Sequence, residues 1–203
     1  MGRTERDRLF GAVLRELDRR GFDDLAVADI LPSAGISAAA FEGEFDDLDS
    51  CLFAAYEELT ERLIHTATSN CGAEDEWPRR VRTGLEALLK ELAAQPHMAQ
   101  ALTRSFPVIG PVAHLRYTEF LESFTPLLRE GRVLSELEGE PAGELEMLAI
   151  GDAEALIRIE VEAGRASQLP TMATTILFSL LAPFLGRERT LAVTREEAEL
   201  SPP

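Results

Sequence analysis

Apolar residues recur along this chain at spacings of three and four, and strict alternation is nowhere sustained, so helices are expected and strands are not. Leu9, Phe10, Val13, Leu14 and Leu17 form the first stripe, with Gly21 placed to end it. A short second segment holds Val27, Ile30 and Leu31 and runs into Ala34-Gly35-Ile36-Ser37. Gly35 suits a left-handed turn residue and Ser37 suits an N-cap. A short third helix should follow through Ala38, Ala39, Ala40 and Phe41 to Phe45. Pro32 falls inside the second helix, where it removes a donor and crowds the Ala28 carbonyl. That costs about 3 kcal/mol unless the helix bends or starts late.

Longer helices follow. Leu48, Leu52, Tyr56, Leu59, Leu63 and Ala67 mark one that should end near Cys71-Gly72, before an acidic loop at Glu74-Asp75-Glu76. Trp77, Val81, Leu85, Leu88, Leu89 and Leu92 mark the next, with Pro78 in its first turn and Pro96 closing it. Residues 97–106 read as one short helix stopped by Pro107. Ala113, Tyr117, Phe120, Leu121, Phe124 and Leu128 share a face of another, bent at Pro126 and ended by Gly131. The last two helices differ. From Glu144 to Ala163 apolar residues occupy two faces, Leu145, Leu148, Leu156 and Ile159 on one, and Met147, Ile150, Ile157 and Val161 on the other. From Thr171 to Leu185 the helix is apolar almost all round. A second copy of this helix pair would cover the spare faces, as a two-fold four-helix interface, so a homodimer is expected. The fold class is all-α.

Charge changes this picture. The net charge is −16, and it is uneven: residues 1–20 hold six Arg against four acids, whereas Gly21–Glu61 holds eleven acids and no Lys or Arg. Such a chain is repelled at long range by nucleic acid and by anionic membranes. The start lacks the apolar run of a signal peptide. Ala166–Gly186 is broken by Pro170 and Pro183 and carries several Ser and Thr, so a buried helix is expected there rather than a membrane span. Cys51 and Cys71 on one helix would lie about 30 Å apart at 1.5 Å per residue, too far to pair. A cytoplasmic chain with free thiols is the expectation. There is no nucleophile elbow, phosphate loop, Cys/His metal spacing or placed carboxylate pair, and the three histidines are scattered, so neither catalysis nor a cofactor nor a metal is expected. Glu57, Glu61 and His65 fall at i, i+4 and i+8, a spacing that an exposed helix face produces without a metal.

Gly21-Phe22, Val27-x-Asp29-Ile30, Ala34-Gly35-Ile36-Ser37, Phe41 and Phe45, together with the closing Leu181-Ala182-Pro183-Phe184-Leu185-Gly186, resemble the tetracycline-repressor-like (TetR) family of bacterial regulators. The resemblance implies an N-terminal three-helix helix-turn-helix head over residues 1–46 and a larger helical ligand-binding and dimerisation domain over 47–203. It also implies operator DNA and a small, mostly apolar ligand as partners. The reading positions would be Ser37, Ala38, Ala39, Ala40, Glu42 and Glu44. Here the departures gather: Ala38 stands where a polar residue is common, Ala40 for Thr, Glu42 for Tyr, Glu44 for His and Leu48 for Lys. In the second helix, Ala26 stands for Thr and Ala28 for Arg. Alanines can touch a thymine methyl and glutamates can accept from cytosine N4, but no cation neutralises a phosphate. Ser37 and the helix start still offer one phosphate amide site.

Trp77, Met98, Phe106, His114, Tyr117, Phe120 and Phe124 are the candidate ligand-binding residues, the polar ones as handles in an apolar pocket; ordinary core packing also accounts for the apolar members. Leu148, Leu156, Ile159, Ile176, Leu180 and Phe184 are the expected dimer contacts. Acids at 42, 44, 46, 47 and 49 suit either a solvated face, a basic partner or a DNA mimic. Two functions follow: a ligand-responsive regulator, in the sense of a repressor, with weakened or altered DNA binding, or a sensor of the same descent that acts through a protein partner.

Overall fold

The computed structural model describes residues 1–70, 76–135 and 144–200, with the backbone alone for 196–200. Among the described residues all regular structure is helical. The helices are α1 (Arg3–Arg20), α2 (Val27–Ala34), α3 (Ala38–Glu42), α4 (Leu48–Asn70), α5 (Trp77–Ala94), α6 (Pro96–Gln100), α7 (Pro111–Glu122), α8 (Thr125–Leu128), α9 (Gly131–Leu134), α10 (Glu144–Glu162) and α11 (Ala173–Leu200). The expected helix end at Cys71-Gly72 and the loop residues Glu74 and Asp75 lie outside the described residues, as does Cys71 itself.

The chain divides into two compact units, residues 1–62 with 95–117, and residues 63–94 with 118–203. The head of residues 1–46 is thus contained in a larger unit that also takes in the first part of α4 and the segment around α6.

In the first unit the α1 stripe Leu9, Phe10, Val13, Leu14 and Leu17 is buried, together with Leu25, Ile30, Phe41 and Phe45. Phe45 meets Phe10 and Phe41 with ring centroids 6.0 and 5.6 Å apart. Tyr56 stacks on Phe106 at 3.7 Å, and Phe53 meets the same ring edge-on at 5.5 Å. The helix expected over 97–106 is present but uneven. It loosens into a π turn over Ala101–Ser105 and tightens over Phe106–Val108, so Pro107 lies within the last turn instead of stopping it. Cys51 is a free, fully buried cysteine, and burial pushes its thiol up to about 12.

The second unit packs α11 against α10 and α5. Trp77 is buried, its indole Nε1 donates to the Leu127 carbonyl at 2.8 Å, and its ring meets Phe184 edge-on at 5.5 Å. Gly131 begins a helical turn here; it does not end the preceding helix. Its role is close approach: a Cβ at this position would stand 2.5 Å from the Trp77 ring and 2.8 Å from Phe184. On α9 the Arg132 guanidinium reaches α10 and holds both oxygens of Glu146, which is buried. That contact holds the Glu146 carboxyl below the usual carboxylate range, against the opposing effect of burial.

Helix α10 has the two faces expected of it. Ala149, Ile150, Ala153, Ile157 and Val161 are buried, whereas Leu148 and Ile159 are 65% and 53% exposed and Leu156 is half-buried. Helix α11 corrects the expectation. Ile176, Leu180 and Phe184 are buried inside the second unit, and its more open face carries Thr174, Thr175, Phe178 and Leu185. An all-round apolar helix has no hydrophobic phase from which to tell its inner face from its outer one. Residues 166–195 form one helical stretch long and apolar enough to cross a membrane. Pro183 lies inside it, Gly186 kinks it at φ 71°, and Ile176, Leu177, Leu181 and Phe184 are buried against the rest of the unit, as in a core helix.

Candidate nucleic-acid interface

The α2–α3 pair is held in place by local chemistry. The Asp29 carboxylate accepts the Ala26 backbone N–H at 3.1 Å, which caps α2 at its start. The helix then continues through Pro32 to Ala34. Gly35 adopts the left-handed conformation (φ 65°, ψ 41°), the turn that Cβ-bearing residues resist, and its N–H returns to the Leu31 carbonyl. The Ser37 hydroxyl accepts the Ala40 N–H at 3.2 Å and caps α3. From there Phe41 turns inward, and Ser37, Ala38, Ala39, Ala40, Glu42 and Glu44 all lie on the exposed side. So do Ala28, Pro32 and Ser33 of α2. This surface is methyl-rich, shallow and acidic.

The opening helix brings cations to the edges of this surface, where the sequence reading had placed none. Arg6 donates to Glu44 at 3.1 Å, lies 3.4 Å from Glu58, and sits over the Phe10 and Phe45 rings at 4.8 and 5.8 Å. Arg20 pairs with Asp29 at 3.0 Å and, with Arg19, holds Glu16, whose carboxyl is lowered by those contacts. Arg8 is exposed, its Nη1 is 3.5 Å from where a Cβ on Gly35 would stand, and it has no ion pair among the described residues. The signal available in advance was the phase of the α1 stripe: with Leu9, Val13 and Leu17 inward, Arg6 and Arg8 flank the face that meets α2 and Phe45. Beyond the head, the acid at position 47 caps α4, where the Ser50 N–H and hydroxyl hold the Asp47 carboxyl low.

The ligand candidates fall in both units. Met98, Phe106, His114 and Tyr117 belong to the first, and Trp77, Phe120 and Phe124 to the second. Phe106, Met98 and Tyr117 are buried, but His114 is exposed, so in this conformation it is not a handle inside an apolar pocket. Phe120 and Phe124 meet edge-on at 5.2 Å. Trp77 is packed on one side against Gly131 and Phe184. In the first unit a cleft of about 100 Å³ opens between α1, α4 and the start of α6, floored by Phe10, Leu14, Leu59 and Met98 and rimmed by Asp7 and Glu58. Glu57 of the i, i+4, i+8 set is paired with Arg116 at 2.5 Å, and His65 contacts Ser69.

No family model matches the chain, and no curated protein does. Solved structures do. The fatty acid degradation regulator FadR from Bacillus halodurans aligns with a TM-score of 0.78 at 17% identity, over 89% of this chain and 96% of that one. The transcriptional regulator FadR from Bacillus subtilis, solved in complex with stearoyl-CoA, aligns at 0.75 and 13% identity, over 90% and 99%. A TetR-family regulator from Marinobacter aquaeolei aligns at 0.65 and 16%, over 85% and 95%. At these identities the likeness is one of architecture, and it spans nearly the whole length of each: the chain has the fold of TetR-family transcriptional regulators.

Proposed function

We propose that the protein is a ligand-responsive transcriptional regulator, a repressor in the TetR manner, whose grip on DNA is weakened. The observation that carries this reading is the α2–α3 pair: Gly35, Ser37, Phe41 and Phe45 keep the packing of a reading head, while its outward positions are alanine and glutamate. The neighbour complexed with stearoyl-CoA supports a mostly apolar effector. The exposed Leu148 and Ile159 on α10 support a homodimer through that face, which Leu148→Asp with Ile159→Asp would convert to monomer in a sedimentation measurement. Ligand binding would then act by favouring one placement of the two heads over another.

A salt series on DNA binding tests the reading. A working head binds duplex from the gene's own upstream region at low salt, with a log–log slope that reports several phosphates. Absence of binding to any genomic fragment at 50 mM salt sinks it. The triple change Glu42→Tyr, Glu44→His, Leu48→Lys should strengthen nonspecific binding measurably. The second reading, a sensor that works through a protein partner or by pairing with a DNA-competent relative, is favoured by the exposed acids Glu42, Asp46, Asp47 and Asp49, which present a continuous negative charge where a polyanion would have to approach.

A further inference from the structure

Arg6 lies in the first turn and a half of α1, yet its guanidinium reaches the far end of the reading helix. Nη1 donates to Glu44 Oε1 at 3.1 Å, Nε is 3.4 Å from Glu58 Oε2, and the Phe10 and Phe45 rings lie beneath it. The side chain remains 38% exposed. Glu44 follows Gly43, the C-cap of α3. In a helix-turn-helix head the N-terminal residues of the reading helix meet the base edges while the flanking helix crosses the backbone. With only five residues in α3, groups just beyond its C-terminal end and at the start of α1 lie toward the groove's mouth, where the phosphates run.

We infer that Arg6 is a phosphate-contacting cation of this head and that Glu44 holds it in reserve, an inference that rests on the DNA-reading function proposed above. A guanidinium has five N–H donors in a fixed fork. Losing the Glu44 carboxylate frees Nη1, while Nε keeps Glu58 and the aromatic rings keep the group in place. A cation fixed in position before a phosphate arrives loses little freedom on binding it. With Glu44 ionised, one carboxylate oxygen offsets Arg6 and the other holds the Met1 ammonium at 3.3 Å, so Glu44 masks two cations at that point. Glu42, two residues earlier on the same rim, is exposed and has no ion pair among the described residues, so its removal changes the field without freeing a cation.

The experiment compares Glu44→Gln, Glu42→Gln, Arg6→Met and Arg6→Met with Glu44→Gln, in the full-length chain. Methionine keeps apolar cover over Phe10 and Phe45. Binding is read by anisotropy on a labelled upstream duplex across a salt series, and separately on inorganic polyphosphate, which has no groove. Glu44→Gln should tighten duplex binding by about 3- to 10-fold at 50 mM salt, with a slope steeper by about one phosphate's worth, roughly 0.9. Glu42→Gln should gain less than half as much, since both remove one charge but only Glu44→Gln frees cationic donors. Combining Arg6→Met with Glu44→Gln should remove at least half of the gain, the remainder being the share of the Met1 ammonium that Glu44 also holds. An equal gain from Glu42→Gln, or a gain undiminished by Arg6→Met, overturns the inference. A gain on polyphosphate with no duplex binding by any variant supports the Arg6–Glu44 inference and removes DNA reading instead. No gain on either polymer removes the inference.

Discussion

The first unit and the second each hold an arginine–glutamate pair between different elements, and the two pairs have opposite characters. At the edge of the head, Arg6 and Glu44 are 38% and 27% exposed, joined through one guanidinium nitrogen, with water close by. In the second unit, Arg132 grips Glu146 through two nitrogens, and the carboxylate is 3% exposed. An exposed pair contributes between nothing and about 1 kcal/mol, because solvent already stabilises each partner. A buried carboxylate has no such recourse, so taking away its partner leaves a charge stranded. The same two residue types thus serve one region as a contact that can be exchanged and the other as a fixture.

The comparison breaks most readily at the buried pair. Arg132→Ala should lower the unfolding free energy by about 3 kcal/mol in urea titration, the lower end for a stranded buried charge because Arg132 itself is partly exposed. A change under 1 kcal/mol would make the two pairs equivalent. The pH dependence follows from the direction of the Glu146 shift. Its carboxyl is held low in the folded state, so its contribution is present above the unfolded value near ~4.3 and is lost as pH falls through the lower folded value. The deficit of Arg132→Ala should therefore shrink as the pH drops below about 4. Next in size is Gly131→Ala, whose methyl would press on Trp77 and Phe184. About 2 kcal/mol of destabilisation is expected, with a blue- or red-shifted Trp77 emission as the local report. Ser37→Ala removes the cap of α3 and should cost about 1 kcal/mol. Arg6→Met should change stability by less than about 0.5 kcal/mol, even though it is expected to matter for polyanion binding.

How much of this was legible beforehand depends on the range over which each feature is determined. The turn at Gly35, the cap at Ser37 and the inward Phe41 and Phe45 are fixed by residues within a few positions of one another, and the sequence states them outright. The all-helical class follows from spacing in the same way. Gly131 was misread because its reason is a tryptophan 54 positions earlier and a phenylalanine 53 positions later, and no local pattern encodes that approach. The α11 faces were misassigned because Ile176, Leu180 and Phe184 are surrounded by other apolar residues, which erases the phase. Reading the head as bare of cations was correct for residues 21–61 and incomplete for the surface, since α1 lends Arg6 and Arg8 across the fold. The ligand candidates were chosen by residue type alone, and type does not separate a packed ring such as Trp77 from one lining a void.

Burial of Cys51 carries a chemical consequence of its own. A thiol held near 12 is ionised in about one molecule in a hundred thousand at neutral pH. Peroxide, nitrosating agents and disulfides all react through the thiolate, so position 51 stays inert toward them for as long as the hydrophobic interior around it remains closed. Oxidative stress therefore has no handle on the first unit through this sulfur.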